Sequence, residues 1–166
     1  MTPESLVQRY RMERHPEGGY FTETYRSTER VEKSALPERF GGTRHVSTAI
    51  YFLLVGEEFS SFHRIKADEL WHFYTGDALD VHMISPEGVY SVATVGPDPQ
   101  KGHSFQHVVP AGYWFASRCT TSTGFSFVGC TVAPGFDFDD FELAKADELV
   151  AKFPAHDNII RSMCRQ

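Results

Sequence analysis

From Tyr20 onward the chain is a series of short runs rich in β-branched and aromatic residues, each closed by a cluster of Gly, Pro, Asp or Ser. Runs of this length and composition form strands, and the clusters between them supply the backbone angles that reversals require. The pattern predicts strands over residues 20–26, 45–54, 59–65, 69–75, 79–84, 88–95, 104–109, 113–118 and 124–132. Gly76-Asp77, Ser85-Pro86-Glu87-Gly88, Gly96-Pro97-Asp98-Pro99 and Pro110-Ala111-Gly112 mark the reversals. So many short strands at regular spacing close into a sandwich or a barrel.

Short helices are expected to flank the barrel. Thr2 followed by Pro3 reads as an N-cap and first turn, with Leu6, Val7 and Tyr10 as the apolar stripe. After Pro134-Gly135 the pattern turns helical again. Asp139 or Asp140 is expected to cap a helix running to about Lys152, which Pro154 stops, and a last short helix is expected over His156–Met163. There is no repeat, low-complexity tract or linker, so residues 1–166 are read as one all-β domain with terminal helices.

The composition narrows the function classes. A 41% hydrophobic and 23% charged chain is globular, and its longest apolar run, Ala49 to Val55, is too short to span a bilayer. The first residues carry no basic stretch followed by an apolar one, so a cytoplasmic location is expected. A net charge of −6 without a Lys/Arg block argues against a nucleic-acid partner. Cys119, Cys130 and Cys164 lack CxxC spacing and read as reduced thiols, the first two filling core volume. Fourteen Phe demand a core or a pocket.

The segment Ser60 to Gly76 carries the chemistry. Residues two apart on a strand face the same way, and a turn brings the next strand alongside. His63, Ile65, Glu69, Trp71 and Phe73 are therefore expected to look into the barrel, with His72 on the outer face. This segment resembles the first cupin motif, with His63, Glu69 and Gly76 at its first histidine, glutamate and glycine positions and Ile65 at its second histidine. Val109-Pro110-Ala111-Gly112-Tyr113-Trp114-Phe115-Ala116 resembles the second motif, with Phe115 where a histidine normally stands. His15 to Ser27, Thr48 to Leu54 and Val132 to Phe138 are similar to a group of single-domain cupins filed as a domain of unknown function. The resemblance implies an RmlC-like jelly roll, a double-stranded β-helix, commonly a homodimer, with no settled activity.

A metal-binding cupin normally offers three histidines and one glutamate, of which this chain keeps His63 and Glu69. Two ligands rarely hold a divalent ion, so no cofactor is expected. If a metal bound, His72 would join His63 and Glu69, with His82 and His107 as further donors. Without one, His63 beside Glu69 reads as a general base, against the plainer reading of a pair that orders the pocket. Glu17, Glu23 and Arg26 read as a clamp for a polar ligand or as a solvated edge strand. Tyr51, Trp71, Phe73, Trp114 and Phe115 read as a wall on which a ring stacks or as plain core, with Trp71 and Phe115 nearest the mouth. Tyr20, Tyr25, Tyr51 and Tyr113 are candidate general acids that no spacing separates. Arg44-His45 and the imidazoles of His103 and His107 read as loop or strand-end residues. The leading reading is a metal-independent barrel acting as an isomerase or epimerase on a sugar, sugar nucleotide or nucleotide. The alternatives are a metal-dependent enzyme of dioxygenase or isomerase type and a non-catalytic metabolite-binding protein. Exposed edge strands are expected to be hidden in a homodimer.

Overall fold

The β-forming runs become two facing antiparallel sheets in the computed structural model, which describes residues 1–165. The chain enters through α1 (Pro3–Tyr10), where Thr2 Oγ1 accepts from the Ser5 amide at 3.3 Å and Ser5 Oγ accepts from the Thr2 amide at 3.0 Å. These reciprocal bonds satisfy two amides that the first helical turn leaves free. The strands follow as β1 (Glu13–Arg14), β2 (Tyr20–Arg26), β3 (Arg30–Val31), β4 (Arg44–His45), β5 (Thr48–Val55) and β6 (Phe59–Arg64). Then come β7 (Asp68–Gly76), β8 (Leu79–Ile84), β9 (Tyr90–Val95), β10 (Gln106–Val109), β11 (Trp114–Cys119), β12 (Phe125–Ala133) and β13 (Glu142–Leu143). Two helices, α2 (Ala146–Lys152) and α3 (Asp157–Ser162), complete the described chain. One sheet has the order β1-β2-β5-β12-β7-β10 and the other β13-β6-β11-β8-β9, the two layers of a jelly roll.

Period-two alternation sorts the side chains among three cores. Phe52, Leu54, Trp71, Val81, Phe115 and Val128 meet between the sheets. Their neighbours in sequence face outward: Leu53 and Phe127 pack under α1 with Leu6, while Trp114 and Ile84 pack under α2 and α3 with Leu149, Phe153 and Ile160. The continuous apolar run in β5 is thus explained by burial on both faces, since α1 covers the outer one. No helix among the described residues is long and apolar enough to cross a membrane.

Two predicted elements differ. The run 45–54 is divided, because Arg44–His45 pairs with Arg30–Val31 as a separate ribbon and β5 begins at Thr48. The helix expected from Asp139 or Asp140 begins only at Ala146, after a 3-10 turn over Phe138–Asp140 and the short β13. Asp140 caps nothing there. Its carboxylate is gripped by Arg44, with Nε donating to Oδ2 and Nη2 to Oδ1, each at 2.6 Å, and both side chains are buried. The Ala144 amide donates to the Phe62 carbonyl at 2.8 Å, so the segment extends the sheet before the chain can coil.

Candidate active site

His63 owes its orientation to an irregularity in β6. Between the pairs Phe115↔His63 and Ser117↔Ser60 the register slips by one residue, a bulge that re-aims the strand. There the Ser61 carbonyl accepts from His63 Nδ1 at 2.7 Å. Because a carbonyl can only accept, Nδ1 carries a proton and Nε2 is the nitrogen free to gain or lose one. Nε2 lies 3.1 Å from Glu17 Oε2.

Glu17 reaches His63 because the chain before β2 crosses the open edge of β6, where the Glu17 carbonyl accepts from the Ser61 amide at 2.8 Å. The two glycines that follow make the crossing feasible. Gly18 and Gly19 have φ of 118° and 74°, and a Cβ on Gly19 would stand 2.7 Å from the Leu53 carbonyl. Ser60 Oγ donates to Glu17 Oε1 at 2.8 Å, and the Glu17 amide donates to His15 Nδ1 at 3.3 Å. Glu17 Oε2 thus stands between two imidazoles, 3.1 Å from His63 Nε2 and 3.4 Å from His15 Nδ1. Burial pushes the Glu17 carboxyl up, opposed by His15, Ser60 and Arg165, and pushes His63 down, opposed by the Glu69 charge. Both shifts run toward the uncharged form of each group.

These groups line a cavity of about 240 Å³ between the sheets. Glu69 enters it from β7 and Cys130 from β12, one strand over. Burial raises Glu69 to about 7 against the pull of His63, and burial holds the Cys130 thiol well above its usual range, with Glu69 adding to the effect. At the rim, Arg26 donates to Glu23 from Nε at 3.0 Å and from Nη2 at 2.6 Å, and from Nη1 to the Phe136 carbonyl at 3.2 Å. Phe136, Phe138 and Phe141 meet edge to face, with centroids 5.0 to 6.2 Å apart, and the His15 ring lies over Phe138 at 6.3 Å.

Of the residues singled out in the sequence, His63, Glu69, Glu17, Glu23, Arg26 and Ile65 line this cavity together. The Glu17 carboxyl lies 3.1 Å from His63 Nε2, whereas Glu69 acts on His63 through charge. The aromatic wall is not where it was expected. Trp71 and Phe115 are core residues that reach the cavity only through Phe52, at 5.9 Å from Trp71, and His63, at 4.0 Å from Phe115. Phe73 packs against the same core. Trp114 alternates to the outer face beneath the Arg64 guanidinium at 4.7 Å. Tyr51 packs on Tyr10 of α1, and Tyr20 lies under Arg14. No tyrosine among the described residues lines the cavity, so none of Tyr20, Tyr25, Tyr51 and Tyr113 stands at the site as its general acid.

Cys130, expected only to fill core volume, stands on the cavity wall, as do His15, Phe21, Thr48, Ile50, Phe52, Val132, Phe136, Asp137, Phe138 and Phe141, none of which was singled out for the site in the sequence. Thr48, Ile50 and Phe52 are two apart on β5, as Cys130 and Val132 are on β12, so strand period alone could have found them.

His72 binds Thr131 Oγ1 at 3.1 Å and Gln106 at 3.2 Å away from the cavity, and cannot join His63 and Glu69 around an ion. His82 faces Tyr90 and His107 faces Met83. No three His, Cys, Asp or Glu side chains among the described residues converge as ligands. With Nε2 of His63 turned to Glu17, and Ile65 and Phe115 at the other two places, this donor set does not fit the metal centre that the cupin motif implies.

Residues 4–144 match the model of the Cupin superfamily (DUF985), and the chain belongs to that family of barrels. It is 32% identical over 157 residues to the uncharacterized protein YML079W of Saccharomyces cerevisiae, covering 87% of this chain and 76% of the yeast protein. The crystal structure of protein SO0799 from Shewanella oneidensis is similar at a TM-score of 0.90 and 39% identity, covering 99% of this chain and 98% of that one. A hypothetical protein from Leishmania major is similar at a TM-score of 0.90 and 35% identity over the full length of both chains.

Proposed function

We propose that the barrel binds a small polar metabolite and transfers protons to and from it, as an isomerase or epimerase does, without a metal ion. The observation that carries this reading is the convergence in one buried cavity of His63 and two carboxyl groups, Glu69 and Glu17, with His63 Nε2 3.1 Å from Glu17 Oε2. Glu69, titrating near 7, is matched to proton transfer at neutral pH. In such a reaction the Glu69 carboxylate takes a proton from a carbon beside a carbonyl, and the electron pair of the broken C–H bond moves to the carbonyl oxygen. The His63–Glu17 pair stabilises that oxygen and supplies the proton that returns to carbon. Within the ligand set of sugar, sugar nucleotide and nucleotide, a volume of about eight waters supports a sugar-sized molecule.

The test is hydrogen exchange in D2O. Small hydroxy-carbonyl compounds and sugars are incubated with the protein and followed by proton NMR for loss of the C–H signal beside the carbonyl. Exchange that disappears in Glu69→Gln and His63→Gln is the expected result. Ligands that bind without exchange would overturn the catalytic reading and leave a metabolite-binding protein.

We further take the protein to be a cytoplasmic homodimer. In support, Tyr74 and Val108 lie 50% and 45% exposed on the outer face of the six-stranded sheet. Light scattering is expected to give twice the 18.8 kDa chain mass, and a monomer at micromolar concentration would contradict the assignment.

A further inference from the structure

We infer that the cavity selects a small organic cation, a metabolite bearing a primary ammonium group, over neutral or anionic molecules of the same size. The inference rests on the cavity being the small-molecule site and adds the charge of its ligand.

Charge around the cavity is one-sided. Glu17, Glu23, Glu69 and Asp137 line it, and Arg26 is its single Arg or Lys among the described residues. Three of its donors are taken, by the Glu23 carboxylate and the Phe136 carbonyl, and Glu23 already balances its charge, which weakens its hold on a phosphate or carboxylate. Glu69 is the opposite case. It is 8% exposed and lines the cavity, and among the described residues no Arg or Lys forms an ion pair with it; the Cys130 thiol, His63 and Glu17 are the groups that act on it. A buried carboxylate without a counter-charge is costly, and a ligand that brings one recovers that cost. An ammonium group donates three hydrogen bonds, with Glu69 as the charged acceptor. The rings of Phe136, Phe138 and Phe141 at the rim offer aromatic faces that attract a cation. An amino sugar therefore suits the site better than a sugar nucleotide, whose phosphates would meet Asp137 and Glu69.

The selection depends on pH through Glu69. Facing it are His63 from β6, Glu17 from the crossing loop and Cys130 from β12, with His15, Glu23, Arg26 and Asp137 elsewhere on the cavity wall. A cation binds the ionised carboxyl, so affinity rises as pH climbs through about 7.

Cyclohexylammonium, cyclohexanol and cyclohexanecarboxylate share one framework and differ in charge. Each is titrated into the whole protein at pH 8 and pH 6, reading ligand NMR signals and the carbon-13 carboxyl shift of Glu69. The amine is expected to bind about tenfold more tightly than the alcohol at pH 8, with the carboxylate weakest and the preference shrinking at pH 6. Glu69→Gln is expected to erase the preference with an unchanged or higher melting temperature. If the alcohol or the carboxylate binds as well as the amine, or the preference survives in Glu69→Gln, the cation inference falls and the cavity reading stands. If no probe perturbs Glu69 or its neighbours, the cavity reading falls and takes the inference with it.

Discussion

Asp140→Ala is expected to lower the unfolding free energy by about 3 kcal/mol, because it leaves Arg44 buried without its counter-charge. Arg44 is 4% exposed and its guanidinium spends two donors on Asp140, with the Phe40 ring 5.9 Å away. Lys66, 3.5 Å from Asp140 Oδ1, adds a second positive charge that the variant would leave uncompensated. Asp140 also anchors the turn that carries Phe138 and Phe141, so the cavity rim is expected to loosen along with the fold. Urea unfolding measures the loss. Pairing the change with Arg44→Met should recover much of it, since an apolar pair avoids the desolvation that a lone charge suffers. A loss below about 1 kcal/mol in Asp140→Ala would show that water reaches Arg44 and that the ion pair is not what fixes the rim.

Glu69→Gln is expected to trade activity for stability. Removing the carboxyl should slow proton transfer by about a hundredfold to ten-thousandfold. The same change should stabilise the fold at alkaline pH. The folded-state pKa of Glu69, about 7, lies above its ordinary 4.5, so the folded protein holds this proton more tightly than the unfolded chain. Stability is therefore highest where the carboxyl is protonated in both states and is lost as pH rises from about 4.5 to about 7. The loss attributable to Glu69 is on the order of 3 kcal/mol above neutrality. Glu17, also raised, adds a slope of the same sign, while His63, lowered, adds the opposite one below its ordinary 6.5. Both remain in the variant, so the difference between variant and parent across pH 4 to 9 isolates Glu69 to first order. A difference that stays flat over that range would remove the buried, cation-seeking carboxyl from this account.

The strands were legible because they are written locally. Alternation and turn chemistry need only a few neighbouring residues, and β2, β6, β7, β8, β9, β10, β11 and β12 fall within two residues of the predicted bounds. Errors arose where a distant residue decided the outcome. Asp140 next to an apolar stretch has every local mark of a helix cap, and the Arg44 that claims it is 96 positions away. Glu17 looked like one charge among three near an edge strand. Its role depends on a loop crossing β6, which no period reveals. Trp114 and Phe115 were both assigned to one wall, although adjacent strand residues face opposite ways and only Phe115 points between the sheets. The Phe136 to Phe138 stretch stood out as a pattern before its rim position gave it a physical meaning.

The strand that presents His63 has its free edge sealed by remote parts of the chain. The Glu17 carbonyl takes the Ser61 amide, the Met163 carbonyl takes the Phe62 amide, and Arg165 reaches the Phe59 carbonyl from 106 residues away. Contacts of such separation carry the largest loop-closure entropy and form after local hairpins. The edge of the strand that presents the histidine thus fastens the two ends of the chain to each other. A chain that has not yet docked residues 142–165 carries the same His63 without its completed strand edge, so the setting of that imidazole depends on the far end of the sequence.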